Sequence, residues 1–203
     1  MPNTRLNIRL LVVRRLIPFL AFAMTVPAFA LTRSPQPGDR IGILRMSDRF
    51  GYGAERTVAN TIQNDLRREL RALGFDAFDA RVTYDDLYRR GPADADFYVE
   101  VVSSHAANRE IGGIGTGAGP IAVDVAIVVA RVAAELRLYD GRTLDVIERY
   151  DLQKNNTAVV PTAIGVGGRS VWAAIMLPFV EYGQYRAAAR EVAHQAALRI
   201  AGR

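Results

Sequence analysis

The chain has no cysteine, which excludes disulfides and thiolate metal sites and leaves packing alone to hold the fold together. Histidine is scarce: only His105 and His194 are present, and their spacing matches no metal-ligand motif. Lysine occurs once, at Lys154, so nearly all of the 26 basic residues are arginine. No Gly-Lys-Ser/Thr step is present to form a Walker-type phosphate loop, and no G-x-S-x-G elbow is present to expose a nucleophilic serine. Internal repeats are absent too.

What the chain does have begins at its first residues. Arg5, Arg9, Arg14 and Arg15 form a positive leader without an acidic residue. An apolar core over 16–26 follows, and Ala28-Phe29-Ala30 supplies the small residues of a signal-peptidase site. The apolar core falls short of the roughly 20 residues of a membrane-spanning helix. We expect a signal peptide over 1–30, cleavage after Ala30 and export to the periplasm. Arg14-Arg15 is poorly continued by Leu16-Ile17-Pro18 for twin-arginine export, so ordinary secretion is expected. No cysteine stands at the expected new start to carry a lipid. Four of the 26 basic residues fall in this leader, so the remainder nearly balances the 21 acidic ones. The high pI of about 9.9 is then largely a targeting property, and no nucleic-acid partner is expected without a clustered basic face.

Residues 31–39 read as a linker, and residues 40–203 as a single domain. Residues 40–46 suit a strand. From Ala54 the period becomes helical: Val58, Ile62, Leu66, Leu70 and Leu73 form one stripe, closed by Gly74. A strand over 75–80 follows. Thr83 and Asp86 then have the spacing of a capping box, opening a two-turn helix stopped by Gly91-Pro92. A further strand covers 96–104. The glycine-rich run 111–119 reads as a flexible connection. Residues 121–140 are β-branched and favour strand over helix. Asp140-Gly141 signals a hairpin into 143–151. The last helix is expected over 184–201, with Ala189, Val192, Ala196 and Ile200 on one face. Residues 153–183 are least legible: a hairpin folded on 165–168 and a buried helix over 170–176 both fit, with Pro178 as an interruption. The sum is an α+β fold, a mixed sheet with helices packed on one face and an antiparallel hairpin near Asp140-Gly141.

Three passages carry a resemblance. They are IGILRMSDRFGYG before the long helix, ADADFYVEVV at 93–102, and the glycine run followed by VAAELRLYDGRTLDVI at 132–147. Together they resemble the envelope family of the curli-secretion channel lipoprotein, with the TolB amino-terminal domain and the lipoprotein activators of penicillin-binding proteins as related modules. Within the family's "xLxLRLxDxxTGEV" strand, Leu144 stands where glycine is usual. The resemblance covers residues 40–201, and none of its motifs is catalytic. It implies an envelope role and, for the channel itself, two membrane hairpins at positions corresponding to 104–131 and 153–180.

Glycines 113, 115, 117 and 119 alternate and precede a strand, whereas a dinucleotide fingerprint requires a helix there. Ser104 and His105 are strand neighbours and point to opposite faces. Asp85, Asp86, Glu100 and Asp124 are the carboxylates that a glycosidase-like pair would draw on, although Asp85 and Asp86 also suit the first turn of a helix. Tyr52, Tyr84, Tyr88, Tyr98 and Tyr139 read as core-edge residues. Arg109 sits poorly against lipid in a candidate hairpin.

These readings predict a non-catalytic envelope assembly or transport accessory that needs no cofactor. Its partners are other envelope proteins or further copies of itself as a homo-oligomer, with outer-membrane association. The expected contact residues are Ile164, Val166, Val171, Trp172, Ile175, Met176, Leu177 and Phe179. Two alternatives are carried: a curli-type outer-membrane channel, and a periplasmic hydrolase using a carboxylate pair.

Overall fold

A computed structural model describes residues 33–46, 53–91, 94–116, 122–165 and 171–203. The expected leader therefore lies outside the described residues. In chain order the elements are β1 (Arg40–Ile43), α1 (Ala54–Ala72), β2 (Asp76–Asp79), α2 (Tyr84–Arg90), β3 (Phe97–Thr116), β4 (Ala122–Asp140), β5 (Val146–Gly165) and α3 (Val171–Ile200). They build an α+β fold on one mixed sheet of order β2-β1-β3-β4-β5. β1 pairs in parallel with β2 and β3, while β3–β4 and β4–β5 are antiparallel.

The helical stripe of α1 is the keel of the core. Val58, Ile62, Leu66 and Leu70 are all buried, together with Ala59. Gly74 closes the helix at a positive φ of 93°, and its carbonyl accepts from the Gly38 amide at 2.8 Å. The capping box forms as the spacing requires: the Asp86 amide donates to Thr83 Oγ1 at 3.2 Å, and Thr83 Oγ1 donates to Asp86 Oδ2 at 2.9 Å. That hydroxyl, with the backbone, holds the Asp86 carboxyl below its ordinary range.

Strand alternation divides the sheet into two faces. On β4, Val132, Ala134, Leu136 and Leu138 are buried in the main core with α1 and α3, and Ala130 is buried on the same face. Arg131, Ala133, Glu135 and Arg137 occupy the intervening positions on the opposite face. The two long helices pack on the first face. The short α2 sends Leu87 into a separate cluster with Leu44, Tyr98, Tyr139 and Leu144, since Tyr98 and Tyr139 alternate with Phe97 and Leu138.

The Asp140-Gly141 hairpin forms between β4 and β5, but its loop spans 141–145. Asp140 Oδ1 accepts from the Arg142 and Thr143 amides at 2.8 and 3.0 Å. Gly141 serves close approach here: a Cβ on it would lie 2.0 Å from the Ala95 carbonyl oxygen. The left-handed position falls on Leu144, at φ 61°. That is the position where the resembled strand carries glycine.

Two expectations need correction. Strand β3 does not end near residue 104 but runs to Thr116. Much of the glycine-rich run is therefore ladder: Gly112, Gly113, Ile114, Gly115 and Thr116 pair with Ile127, Ala126, Val125, Asp124 and Val123. Residues 117–119 lie outside the described residues. Glycine keeps both backbone hydrogen-bonding groups, so a committed partner strand such as β4 can carry it. The second correction concerns 153–183. β5 continues to Gly165, with Ala122 facing Gly165, and α3 then starts at Val171 and runs 30 residues through Pro178. The alternative of a hairpin folded on 165–168 is excluded, because a strand and a helix occupy its two arms. The helix begins thirteen residues before the expected start, at Val171 rather than near Gln184.

Candidate functional site

Strands β3, β4 and β5 are unusually long, with 20, 19 and 20 residues. A mean strand has about 5–6. At about 3.3 Å per residue the ribbon spans roughly 65 Å. β1 pairs with β3 only at Phe97, Tyr98 and Val99, so beyond Val99 β3 has a strand on its β4 side only among the described residues. β5 is the outer strand along its whole length. Pro161, paired opposite Val125, is tolerated there because an edge strand has no second neighbour to serve with an N–H.

The face of the ribbon opposite α1 and α3 is polar near the body. Rows across the three strands read Glu100, Arg137, Arg149, then Ser103, Glu135, Asp151, then His105, Ala133, Gln153, then Ala107, Arg131, Asn155. Arg131 Nη2 donates to Gln153 Oε1. Farther out the rows become apolar, with Ile127 half-buried and Val159 65% exposed. On the other face Val128 is buried against Ala158 and Val180, so α3 lies along the ribbon there. Lys154 Nζ reaches Glu191 Oε1 at 3.5 Å.

The expected contact residues can be placed in part. Phe179 is 71% exposed, and Tyr182, one turn on, is 49% exposed. Ile164 lies on β5, and Val171, Trp172, Ile175, Met176 and Leu177 lie on the first turns of α3; for these six the backbone alone is described. Val166 lies outside the described residues. The sequence reading missed β5 as an edge. Pro161 within a polar-apolar mixture was its one available signal.

The chemical candidates are dispersed. Ser104 is buried and donates to the Glu55 carbonyl at 2.8 Å. His105 Nδ1 lies 3.2 Å from Glu55 Oε1, and His194 Nδ1 lies 2.8 Å from Glu69 Oε2. Each histidine thus ties an element to α1. Asp124 pairs with Gly115 and Glu100 with Arg137. Thirteen strand residues separate Asp124 from Arg137, roughly 40 Å, so Asp124 does not join the other carboxylates. Asp86 is spent on its cap. Asp85 and Glu100 do come together, lining one depression of about 280 Å³ with Tyr84, Arg137 and Tyr139.

No family model matches the chain, and no curated protein does. Among solved structures, it is similar to a minor lipoprotein from Acinetobacter baumannii, at 11% identity and TM-score 0.50 over 83% of this chain and 94% of that one. An uncharacterised lipoprotein B from Nitrosomonas europaea is similar at 17% identity and TM-score 0.39, over 81% and 85%. A PelC dodecamer from Paraburkholderia phytofirmans is similar at 12% identity and TM-score 0.35, over 83% and 91%. Of these three, the first marks a shared fold and nothing about activity; the other two add no argument to it.

Proposed function

We propose that this chain is a non-catalytic accessory of the bacterial cell envelope that acts through protein contacts, its own copies included. The observation that carries the reading is the bare outer strand β5, 20 residues long. An unpaired edge of that length offers a row of N–H and C=O groups to any strand brought beside it. Monomeric proteins shorten, charge or cover such edges. Here Val159 on β5 itself is exposed, apolar surface of the sort that marks contact sites. Export by the leader and the resemblance to curli-secretion proteins support the envelope location.

The test is light scattering on the purified exported protein, joined to fractionation of the envelope. A mass that is a multiple of the monomer, from protein recovered in the envelope, is expected. A strict monomer at all concentrations, or an intact leader on cytoplasmic protein, overturns the reading.

A channel is the second reading, favoured by the antiparallel pairing of β3 and β4 over 104–131. Against it, β5 and the start of α3 stand where the second hairpin would be, which leaves three long strands per chain. Arg109 and Arg131 are exposed on the face opposite α1 and α3, where a mid-depth arginine costs about 2–4 kcal/mol in lipid. Conductance across planar bilayers would favour the channel; its absence with a water-soluble assembly favours the accessory.

A further inference from the structure

Asp65, Ser104 and Gln184 are the buried polar residues among the described ones. Asp65 is met by two arginines, and Ser104 donates to a backbone carbonyl. Gln184 is different. It is 5% exposed, and neither its Nε2 nor its Oε1 has a hydrogen-bond partner among the described residues. Asn108 Oδ1, on β3, is buried and unpartnered as well. Folded proteins pair almost all such groups, and an unpaired one weakens the contact that encloses it.

The register places the two amides in one layer. Val180 packs against Val128 and Ala158. Glu191 reaches Lys154, which pairs opposite Val132. Gln184 lies between Val180 and Glu191 on the same face of α3, one turn from the first and two from the second. The row between Val128 and Val132 is Asn108, Ala130 and Asn156. There Ala130 is fully buried and Asn156 half-buried. A polar layer thus separates the small outer cluster of Val128, Ala158 and Val180 from the main core, which begins at Val132 and Ala188.

The helix is weakest on the outer side of that layer. Pro178 brings no N–H to its turn. Gly183 adds backbone freedom, and a Cβ there would meet nothing within 4 Å. Among the described residues, no ion pair and no side-chain hydrogen bond ties 179–184 to the strands or to α1. Arg186 lies over the Tyr182 ring, within the helix itself. On the inner side, Arg190 and His194 reach Asp65 and Glu69 of α1, and Ala188, Val192, Ala196 and Ile200 enter the core.

We infer that residues 171–183 form a flap that opens from the ribbon as one unit, hinged at the Gln184 layer, while 188–200 stay docked. Opening gives water to the Gln184 amide and to Asn108 Oδ1, which offsets part of the lost Val180 contact. It also uncovers Val128 and Ala158, an apolar strip of the ribbon that another segment can reach in the open state alone. The flap rests on contacts within one chain and does not depend on the proposed accessory role.

Hydrogen exchange of the full folded protein, followed by mass spectrometry, tests the flap. Amides of 171–183 should exchange at least about tenfold faster than those of 188–200, through an opening that depends only weakly on urea. Gln184→Met keeps the size of the side chain and removes its polar amide, so it should slow exchange over 171–183 about tenfold. Ala193→Gly, in the docked half, should speed 188–200 about fivefold and leave 171–183 unchanged. Equal or greater protection of 171–183, the same acceleration of both halves by Ala193→Gly, or no slowing by Gln184→Met overturns the inference.

Discussion

Single residues in this fold often hold positions at odds with their ordinary preference, and the size of each effect shows why they persist. Leu144 sits at φ 61°, a left-handed conformation that costs a side-chain-bearing residue roughly 1–2 kcal/mol. It is also 93% buried, among Leu44, Leu87, Tyr98 and Tyr139. Truncating a buried leucine costs about 2–5 kcal/mol. Burial outweighs strain, so Leu144→Gly should lower stability by about 1–3 kcal/mol in urea denaturation, although glycine relaxes the backbone. Two tyrosines set a pH limit. Burial, followed by hydrogen bonding to Glu100, holds the Tyr139 phenol far above its ordinary value; burial and then Glu148 do the same for Tyr150. Each is protonated in the folded state where the unfolded chain has begun to ionise. Their contribution is therefore complete below about pH 10 and is lost as the pH rises above it. Ultraviolet titration should show two phenols that ionise only with unfolding, while stability stays level from neutral pH until the phenol range is reached.

At the scale of elements, α3 is one helix with two characters. Its second half carries Ala188, Ala189, Val192, Ala193, Ala196, Ala197 and Ile200 into the core, and these small residues let it lie close to α1 and the sheet. Asp65 of α1, 7% exposed, is met by Arg68 at 2.6 Å and by Arg190 of α3 at 3.6 Å. The first half contains Pro178 and Gly183, both poor helix formers, and its described anchor is Val180 against Val128 and Ala158. A Cβ added at Gly183 meets nothing within 4 Å. Gly183→Ala should therefore stabilise the protein by about 0.5–1 kcal/mol, measured as a higher Tm. A fall would mean that this turn is not helical in solution. The mixed character explains why 184–201 was legible as helix outright and 170–176 only as one of two alternatives. Alanine and valine at a 3.6 period mark the second half, whereas Pro178 and Gly183 hide the first.

For the whole molecule, the ribbon outgrows its body. β3, β4 and β5 reach roughly 65 Å, yet β1 and β2 have 4 residues each. If the β5 edge joins copies, then lysine at Val159 or Thr157, both exposed, should shift the scattering mass toward the monomer without loss of secondary structure, because charge on an edge opposes strand addition. An unchanged mass in the double variant would move the contact to Phe179 and its neighbours, where Phe179→Ser is the corresponding test.

Elements whose signal is local were legible in the chain before any folding. Helix α1 follows from its apolar period, α2 from the Thr83–Asp86 cap, and the β4–β5 hairpin from Asp140-Gly141. The α+β class follows from their order. Tertiary structure alone decided where β3 and β5 end. Glycines at 112, 113 and 115 look like a loop until β4 supplies their ladder, and the polar stretch 153–157 looks unstructured until the same strand pairs it from the other side. It also decided which carboxylates meet. Asp85 and Glu100 become neighbours because α2 is laid over β3, whereas Asp124 is carried far up the ribbon. The physical reason is common to these cases: a strand's partners and a pocket's walls are supplied by distant segments, so their energetics enter only when the chain is folded.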